Sequence, residues 1–317
     1  DVDLQAVQEL ARAPPERARG PKGGGRTLSD ARGELPTERP NPASRDFDRL
    51  SAVEAVAVMQ AADREIHAAL ARAVDVIARA IELVAERLAR GGRLFYVGAG
   101  TSGRLAMLDA VECPPTFHSA PERVQAIVAG GAAALSGAVE GAEDDAEAAG
   151  VELAARGLSA ADCVFGIAAG GTTPFVHGAL RFARERRAAR IFLACVPREQ
   201  VGDDADVSIR VVTGPEVIAG STRLKAGTAT KLVLNTISTA VFARLGKVHG
   251  NLMGDVATGA NEKLRERGRR LVAELAGVDL ERAAALLAAA DGEVKTAVVM
   301  AARRLDASLG SLSVEGG

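Results

Sequence analysis

Short apolar runs alternate with amphipathic segments of helical period through most of this 317-residue chain. Apolar runs of four to six residues are typical of strands buried on both faces, whereas apolar residues three and four positions apart are typical of helices. The pattern predicts strands at residues 94–97, 124–128, 163–168, 191–195 and 207–212. Strands that alternate with helices predict an α/β fold, in which helices cover both faces of a parallel sheet.

Two helices are predicted before the first strand. Ser51 followed three residues later by Glu54 is the signature of a capping box at a helix start. An apolar stripe along the second helix should face the core. The stripe consists of Val74, Ile77, Ile81, Val84 and Leu88.

The two ends of the chain differ in character from its middle. Residues 1–34 are rich in proline, glycine and arginine and contain one short helical segment at residues 4–10, so we expect a disordered leader. Residues 35–250 should form the main domain, which a proline-punctuated extended arm precedes. Residues 251–308 should form a small helical module, and residues 309–317 a tail.

The loop after the first strand is the clearest candidate for a ligand site. It reads Gly-Ala-Gly-Thr-Ser-Gly over residues 98–103 and leads into a helix predicted at residues 105–111. Free amides and the dipole at a helix start favour an anion. We therefore predict that Gly100, Thr101 and Ser102 bind a phosphate, and the two hydroxyls would also suit helix capping.

The same loop matches the G-x-G-x-x-G pattern of dinucleotide-binding folds. Such folds need an acidic residue at the end of the next strand, about 20 residues on, to bind the ribose. The next predicted strand ends in Ala129-Gly130-Gly131 and lacks one. A phosphate monoester is therefore the favoured ligand, and dinucleotide binding ranks last.

Two further segments carry hydroxyl groups at predicted helix starts. One follows the third strand, and the other opens a long helix at Ser221. Ligands of parallel α/β sheets bind at the carboxyl ends of the strands, where these loops should lie. The role of the nearby Lys225 stays open. The predicted contacts are Gly171, Thr172, Thr173, Ser221 and Thr222.

Composition excludes several function classes. The formal net charge of -2 argues against a nucleic-acid partner, because a backbone of phosphates requires a basic surplus. The chain has 3 cysteines and 4 histidines without metal-ligand spacing, so we expect no metal site. No apolar stretch approaches the roughly 20 residues of a membrane span, and we expect a reducing, cytoplasmic location. Cys163 and Cys195 should serve as small apolar residues within strands.

Five motifs occur in order between residues 35 and 305. They are Gly98-Ala-Gly-Thr-Ser-Gly-Arg104, Glu112-Cys-Pro-Pro-Thr-Phe117, Val139-Glu-Gly-Ala-Glu-Asp144, Gly214-Pro-Glu-Val217 with Gly220-Ser-Thr-Arg-Leu-Lys-Ala-Gly-Thr228, and Gly246-Lys-Val248. Together they resemble the N-acetylmuramic acid 6-phosphate etherase family of the sugar isomerase (SIS) domain class. The resemblance implies a flavodoxin-like, doubly wound parallel sheet with a small C-terminal helical module. It also implies a homodimer with active sites near the interface and no metal or organic cofactor.

The resemblance further implies a reaction and two catalytic residues. The family cleaves the D-lactyl ether of N-acetylmuramic acid 6-phosphate to N-acetylglucosamine 6-phosphate and D-lactate, in the recycling of cell-wall amino sugars. By motif position, Glu112 would protonate the leaving lactate and Glu143 would be the partner base. From the residues alone, Glu112 could equally be a surface residue, and the acidic run around Glu143 could be a solvated face.

The chain departs from the family pattern in its second loop. Where the family usually has Ala-Ser-Gly-Arg-Thr-Pro-Tyr, residues 169–175 read Ala-Gly-Gly-Thr-Thr-Pro-Phe. The loop has thus lost a hydroxyl, a guanidinium and a phenol, and we expect weaker substrate binding. Val111 also replaces a serine before Glu112, and one extra residue stands between Asp255 and Asn261.

Two other functions remain open from the sequence. A non-catalytic sugar-phosphate sensor of the same fold would tolerate the altered second loop. An aldose-ketose isomerase would need a base placed between C1 and C2, and the Glu-Cys-Pro-Pro motif matches the etherase instead. Retention of both glutamates favours the lyase.

Overall fold

A five-stranded parallel sheet forms the centre of the molecule. The computed structural model describes residues 33–256, 258–259 and 262–303, and a compact unit begins at Leu35. The strands lie in the order β2-β1-β3-β4-β5, which is the flavodoxin-like order and confirms the predicted fold class. They are β1 Leu94–Gly98, β2 Val124–Val128, β3 Cys163–Ile167, β4 Ala189–Ala194 and β5 Val207–Arg210.

Helices cover both faces of the sheet, and three more follow it. The helix bounds are α1 Ala52–Ala71, α2 Val74–Ala89, α3 Gly100–Phe117, α4 Ala133–Ser136, α5 Ala148–Ala155, α6 Pro174–Glu185, α7 Lys225–Arg244, α8 Glu262–Ala276, α9 Leu280–Ala289 and α10 Val294–Ala302. Short 3₁₀ helices lie at Pro42–Ser44, Phe47–Arg49, Pro121–Arg123 and Ala142–Asp144, and a small hairpin pairs β6 Val248–His249 with β7 Leu252–Met253. The predicted leader helix at residues 4–10 and the predicted tail lie outside the described residues.

Alternate residues of each strand point into two different apolar layers. Tyr96 of β1 packs with α1, α2, α3 and α7, whereas Phe95 and Val97 pack with α5 and α6 on the other face. Both layers bury their strand residues almost completely, which explains why the strands read as continuous apolar runs. Helices α8 to α10 share a third apolar cluster of their own.

The elements before the first strand match the predictions with two exceptions. The Ser51–Glu54 capping box is present at the start of α1. Four members of the α2 stripe are buried or half-buried, but Val74, the first residue of the helix, is 59% exposed. The predicted extended arm consists of turns and two 3₁₀ helices, because Asn41 and Ser44 bond locally and to the backbone of Pro215 and Val217.

The predicted helix end at Pro114-Pro115 is wrong. Helix α3 contains both prolines and continues to Phe117, where His118 takes a left-handed conformation. A proline inside a helix costs about 3 kcal/mol. Burial offsets that cost here, since Cys113 and Phe117 are buried and the Phe117 ring stacks on Phe242 with 4.6 Å between centroids.

The cysteines behave as apolar residues. Cys163 in β3 and Cys195, directly after β4, are both fully buried, and desolvation raises the pKa of each thiol to about 12. Such thiols stay protonated and unreactive. None of the helices in the described ranges is long and apolar enough to span a membrane.

Gly103→Ala should destabilise the fold, because α3 crosses β1 without room for a side chain. An added Cβ at Gly103 would lie 2.7 Å from Val128 Cγ1 and 2.8 Å from the Gly98 carbonyl oxygen. We expect a loss of about 1–3 kcal/mol in the free energy of unfolding, measured by urea denaturation. Gly202→Ala, which meets open space, is the control; equal stability of the two variants would contradict the close approach.

Candidate active site

The first and second hydroxyl-rich loops leave adjacent strands. Strand β1 pairs with β2 on one side and β3 on the other, so the chain reverses its direction of winding beside β1. Crevices for ligands open at such a switch point, at the carboxyl ends of the strands. The loops after β1 and β3 both start there.

The first loop presents backbone amides at its helix start. Helix α3 begins directly at Gly100, which has a positive φ of 52°, and Ala99 is the N-cap residue. The amides of Gly100, Thr101 and Ser102 belong to the first turn, where a helix provides them no acceptor. Neither hydroxyl caps the helix, since no side-chain cap is present. The expectation that these hydroxyls also cap the helix is therefore wrong.

The third segment differs from the prediction, because the long helix begins at Lys225 and not at Ser221. The Glu216 carboxylate accepts hydrogen bonds from the amides of Lys225 and Ala226, each at 2.9 Å. A buried acid nine residues upstream thus caps the helix in place of a hydroxyl. Desolvation raises the pKa of Glu216 above its ordinary value.

Packing at Gly227 brings the first loop and the third segment together. A Cβ at Gly227 would lie 3.3 Å from the Thr222 carbonyl oxygen and 3.5 Å from Thr101 Cγ2. Thr222 and Ser221 lie in a turn and are partly exposed. Thr101 and Thr222, predicted separately from sequence, therefore both lie beside Gly227.

The second loop contacts a residue that sequence analysis missed. Thr37 is fully buried, and its carbonyl oxygen accepts a hydrogen bond from the Gly220 amide at 2.8 Å. A Cβ at Gly170 would lie 3.9 Å from Thr37 Oγ1. Thr37 thus lies between the second loop and the third segment. The Pro-Thr-Glu stretch that contains it has no local signal of this role.

Gly171, Thr172 and Thr173 occupy the turn between β3 and α6. Gly171 has a φ of 78°, and its carbonyl oxygen lies 2.7 Å from His177 Nε2 on α6. Thr173 is the N-cap residue of α6, but its hydroxyl makes no capping bond. Gly171 is buried and Thr172 and Thr173 are half-buried, and all three lie at the same edge of the sheet as the first loop.

Glu143 and the start of the first loop line the same cavity. Glu143 belongs to the 3₁₀ helix Ala142–Asp144, whose N-cap is Gly141 with a φ of 73°. The cavity has a volume of about 240 Å³, and Gly100, Arg104, Glu140 and Glu143 are among its lining residues. The structure thus brings the predicted base together with the predicted phosphate loop.

The acidic run around Glu143 divides between different roles. Asp145 accepts hydrogen bonds from the amides of Glu147 and Ala148 at the start of α5, each at 3.0 Å. Glu147 pairs with Arg181. These acids are helix-terminal and surface residues, as the sequence alternative proposed for the whole run. Glu140 and Glu143 are the members that line the cavity.

Glu112 lies far from that cavity in its own chain. Gly100 and Glu112 are twelve positions apart on α3, and about 18 Å separates them at the helical rise of about 1.5 Å per residue. Glu112 is exposed, and its neighbours Leu108 and Val111 are 51% and 53% exposed. Glu112 is not among the residues that line the cavity of Glu143 in the same chain.

A buried polar cluster lies one turn before Glu112. Asp109 accepts hydrogen bonds from the Tyr96 hydroxyl, Asn235 and Ser238 at 3.0, 2.6 and 3.0 Å. Burial is the main cause that raises the pKa of Tyr96 well above its ordinary range. These bonds fix α3 against β1 and α7, so the backbone that carries Glu112 is held rigidly.

Lys225 is a buried ion-pair partner. Its side chain is 1% exposed, and Nζ lies 2.7 Å from a carboxylate oxygen of Glu65 on α1. The pair ties α1 to the start of α7. Across the described ranges, no three His, Cys, Asp or Glu side chains come together as a metal site.

Comparison with known proteins first gives the class. The family model of the glucokinase regulatory protein N-terminal SIS domain matches residues 76–184. Two solved phosphoheptose isomerases, from Neisseria gonorrhoeae and Francisella tularensis, are similar over 61% of this chain and 100% of theirs, with 21% and 16% identity and TM-scores of 0.45 and 0.46. Residues 76–184 therefore match the sugar isomerase (SIS) domain class.

Full-length relatives then give the family. An N-acetylmuramic acid 6-phosphate etherase from Gloeobacter violaceus is 56% identical over 269 residues, which cover 85% of this chain and 88% of the relative. Etherases from Trichormus variabilis and Prochlorococcus marinus are 54% and 52% identical, over 88% of this chain and 91% and 88% of their own lengths. The chain belongs to the N-acetylmuramic acid 6-phosphate etherase family.

Gly141→Ala should misplace Glu143 without altering the rest of the site. A side chain at a positive φ costs about 1–2 kcal/mol, and no atom lies within 4 Å of an added Cβ, so backbone strain is the direct effect. We expect slower D-lactate release from N-acetylmuramic acid 6-phosphate. Gly157→Ala has a comparable φ of 64° and equally open space at the end of α5. An equal rate loss in both variants would contradict a local role for Gly141.

Proposed function

We propose that this protein cleaves the D-lactyl ether of N-acetylmuramic acid 6-phosphate to N-acetylglucosamine 6-phosphate and D-lactate. It is a carbon–oxygen lyase, as its family name indicates. The observation that supports the proposal is a cavity lined both by Glu143 and by Gly100 at the start of α3. A phosphate on the amides of the first loop would place the sugar within reach of that carboxylate.

The two glutamates supply the proton transfers that the reaction needs. In the open-chain sugar, C2 lies next to the aldehyde, so a carboxylate can remove its proton, and we assign that step to Glu143. Loss of lactate from C3 requires a general acid, which we assign to Glu112. Water then adds to the unsaturated intermediate with the two roles reversed. No cofactor enters this scheme.

Substrate binding is assigned to the three loops at the switch point. Gly100, Thr101 and Ser102 would hold the phosphate through amides and hydroxyls. The second and third segments would complete the pocket, through Gly171, Thr172, Thr173, Ser221 and Thr222. The position of Thr101 and Thr222 on either side of Gly227 supports one shared pocket.

A homodimer would unite the two glutamates. The separation of about 18 Å along α3 is too long for Glu112 to transfer a proton to a group bound at the first loop of its own chain. Exposed Leu108 and Val111 beside Glu112 support a contact with a second copy at this face. We propose that Glu112 of the partner subunit completes the cavity of Glu143. The dimer would act in the cytoplasm, on a soluble phosphorylated amino sugar, without nucleic acid or membrane.

A sugar-phosphate sensor is the second candidate. The second loop lacks the family's usual guanidinium, and the SIS model that matches comes from a regulatory protein. A sensor would bind the sugar phosphate without cleaving it. The two functions therefore differ in product formation and not in binding.

The lyase assignment is tested by D-lactate release from N-acetylmuramic acid 6-phosphate. We expect release by the purified protein and loss of it in both Glu112→Ala and Glu143→Ala, because each removes one proton-transfer group. Each variant should keep the parental thermal midpoint, since both side chains are exposed. A parent that is stabilised by the sugar phosphate but releases no lactate would identify the sensor.

The shared site is tested with mixed dimers. Glu112→Gln and Glu143→Gln chains should each be inactive alone. Refolded together at equal concentration, they should regain about one quarter of parental activity, because half of the dimers are mixed and each mixed dimer has one intact site. No recovery, with mixed dimers verified by mass spectrometry, would show that each site uses glutamates of a single chain.

A further inference from the structure

Arg104 joins the phosphate-loop helix to the segment that leads to Glu143. It is the fifth residue of α3, one turn after Gly100. Its Nε donates to the Ala134 carbonyl oxygen at 2.9 Å, and a terminal guanidinium nitrogen donates to the Gly137 carbonyl oxygen at 2.7 Å. The side chain also lines the cavity.

The segment that receives these bonds offers carbonyl groups at the end of a very short helix. Helix α4 has four residues, and the last carbonyl groups of so short a helix lack amide partners. Arginine is suited to this position because its rigid fork bonds two carbonyl oxygens at once. After α4 the chain passes over Gly130, where a Cβ would lie 2.8 Å from Val139, and reaches Glu140 and Glu143.

The other end of the same segment, at Ala146, packs against the backbone of α6. A Cβ at Gly178 of α6 would lie 1.7 Å from the Ala146 carbonyl oxygen, so the chain just after Glu143 lies directly against α6. The segment between Ala134 and Ala146 therefore runs from Arg104 on α3 to Gly178 on α6. Of these two anchors, Arg104 is the one that belongs to the phosphate-binding helix.

We propose that Arg104 is a positioning residue that sets the distance between the bound phosphate and the carboxylate of Glu143. The Arg104 backbone is one turn from the amides that would bind the phosphate. Its two hydrogen bonds therefore fix the position of Glu143 relative to the bound phosphate. This inference rests on the proposed lyase function. It assigns to Arg104 an effect on turnover that is separate from substrate binding.

The test compares kcat and KM for D-lactate release in Arg104→Ala and Arg104→Lys. We expect kcat to fall on the order of 10- to 100-fold in Arg104→Ala, since small misplacements of reacting groups have effects of that size. KM should stay within about threefold, because the phosphate amides remain. Arg104→Lys should recover little, as an ammonium lacks the fork, whereas millimolar guanidinium should raise kcat of Arg104→Ala above a sodium chloride control.

The matched control is Arg123→Ala, which removes a guanidinium bonded to the Leu88 carbonyl oxygen away from the cavity. It should lower thermal stability without lowering kcat. A large rise in KM with parental kcat in Arg104→Ala would make Arg104 a ligand contact and overturn the proposal, as would parental values of both constants.

Amide hydrogen exchange separates this inference from the lyase assignment. Arg104→Ala should speed exchange at residues 138–146 relative to the parent, and Arg123→Ala should not. If the parent releases no lactate, the lyase assignment fails, and exchange still decides whether Arg104 holds the segment. Unchanged exchange at residues 138–146 would overturn the proposal whatever the activity.

Discussion

The close approach of α3 to β1 is the contact on which the rest of the structure depends. A Cβ at Gly98 would lie 2.8 Å from the Gly103 amide nitrogen, so strand and helix meet through glycine backbone alone. The chain can therefore turn from the end of the strand into the helix within two residues. That tight turn leaves the first amides of α3 pointing outward at the switch point, where an anion can reach them.

Everything else at this edge is arranged around that turn. Thr101 lies beside Gly227 in the first turn of α7, whose first amides bond to the Glu216 carboxylate. Thr37 ties the second loop to the third segment. Glu143 lines the same cavity as Gly100. Backbone contacts and a buried carboxylate cap thus position the elements at this edge.

Local patterns predicted the fold and the tight turn after β1, because both depend on neighbouring residues, although the helix begins at Gly100 and not at residue 105. Apolar runs mark the strands, and the glycines at 98, 100 and 103 mark the turn. Prediction failed where residues distant in sequence set the ends of helices. Phe242 stacks on Phe117 and stabilises α3 beyond Pro114-Pro115. Glu216 caps α7, so that this helix starts at Lys225. Likewise, the distance of about 18 Å along α3 between the first loop and Glu112 follows only once the structure shows that this helix is unbroken. Arg104 was visible in the first motif, but its carbonyl partners were not.

The proposed site requires two chains around the first loop. A crystal structure of the Glu143→Gln variant soaked with N-acetylmuramic acid 6-phosphate would show whether they meet there. We expect the phosphate on the amides of Gly100, Thr101 and Ser102, with Glu112 of the partner subunit within hydrogen-bond distance of the lactyl ether oxygen. A phosphate bound elsewhere, or an ether oxygen with no carboxylate from a second chain beside it, would contradict the shared site.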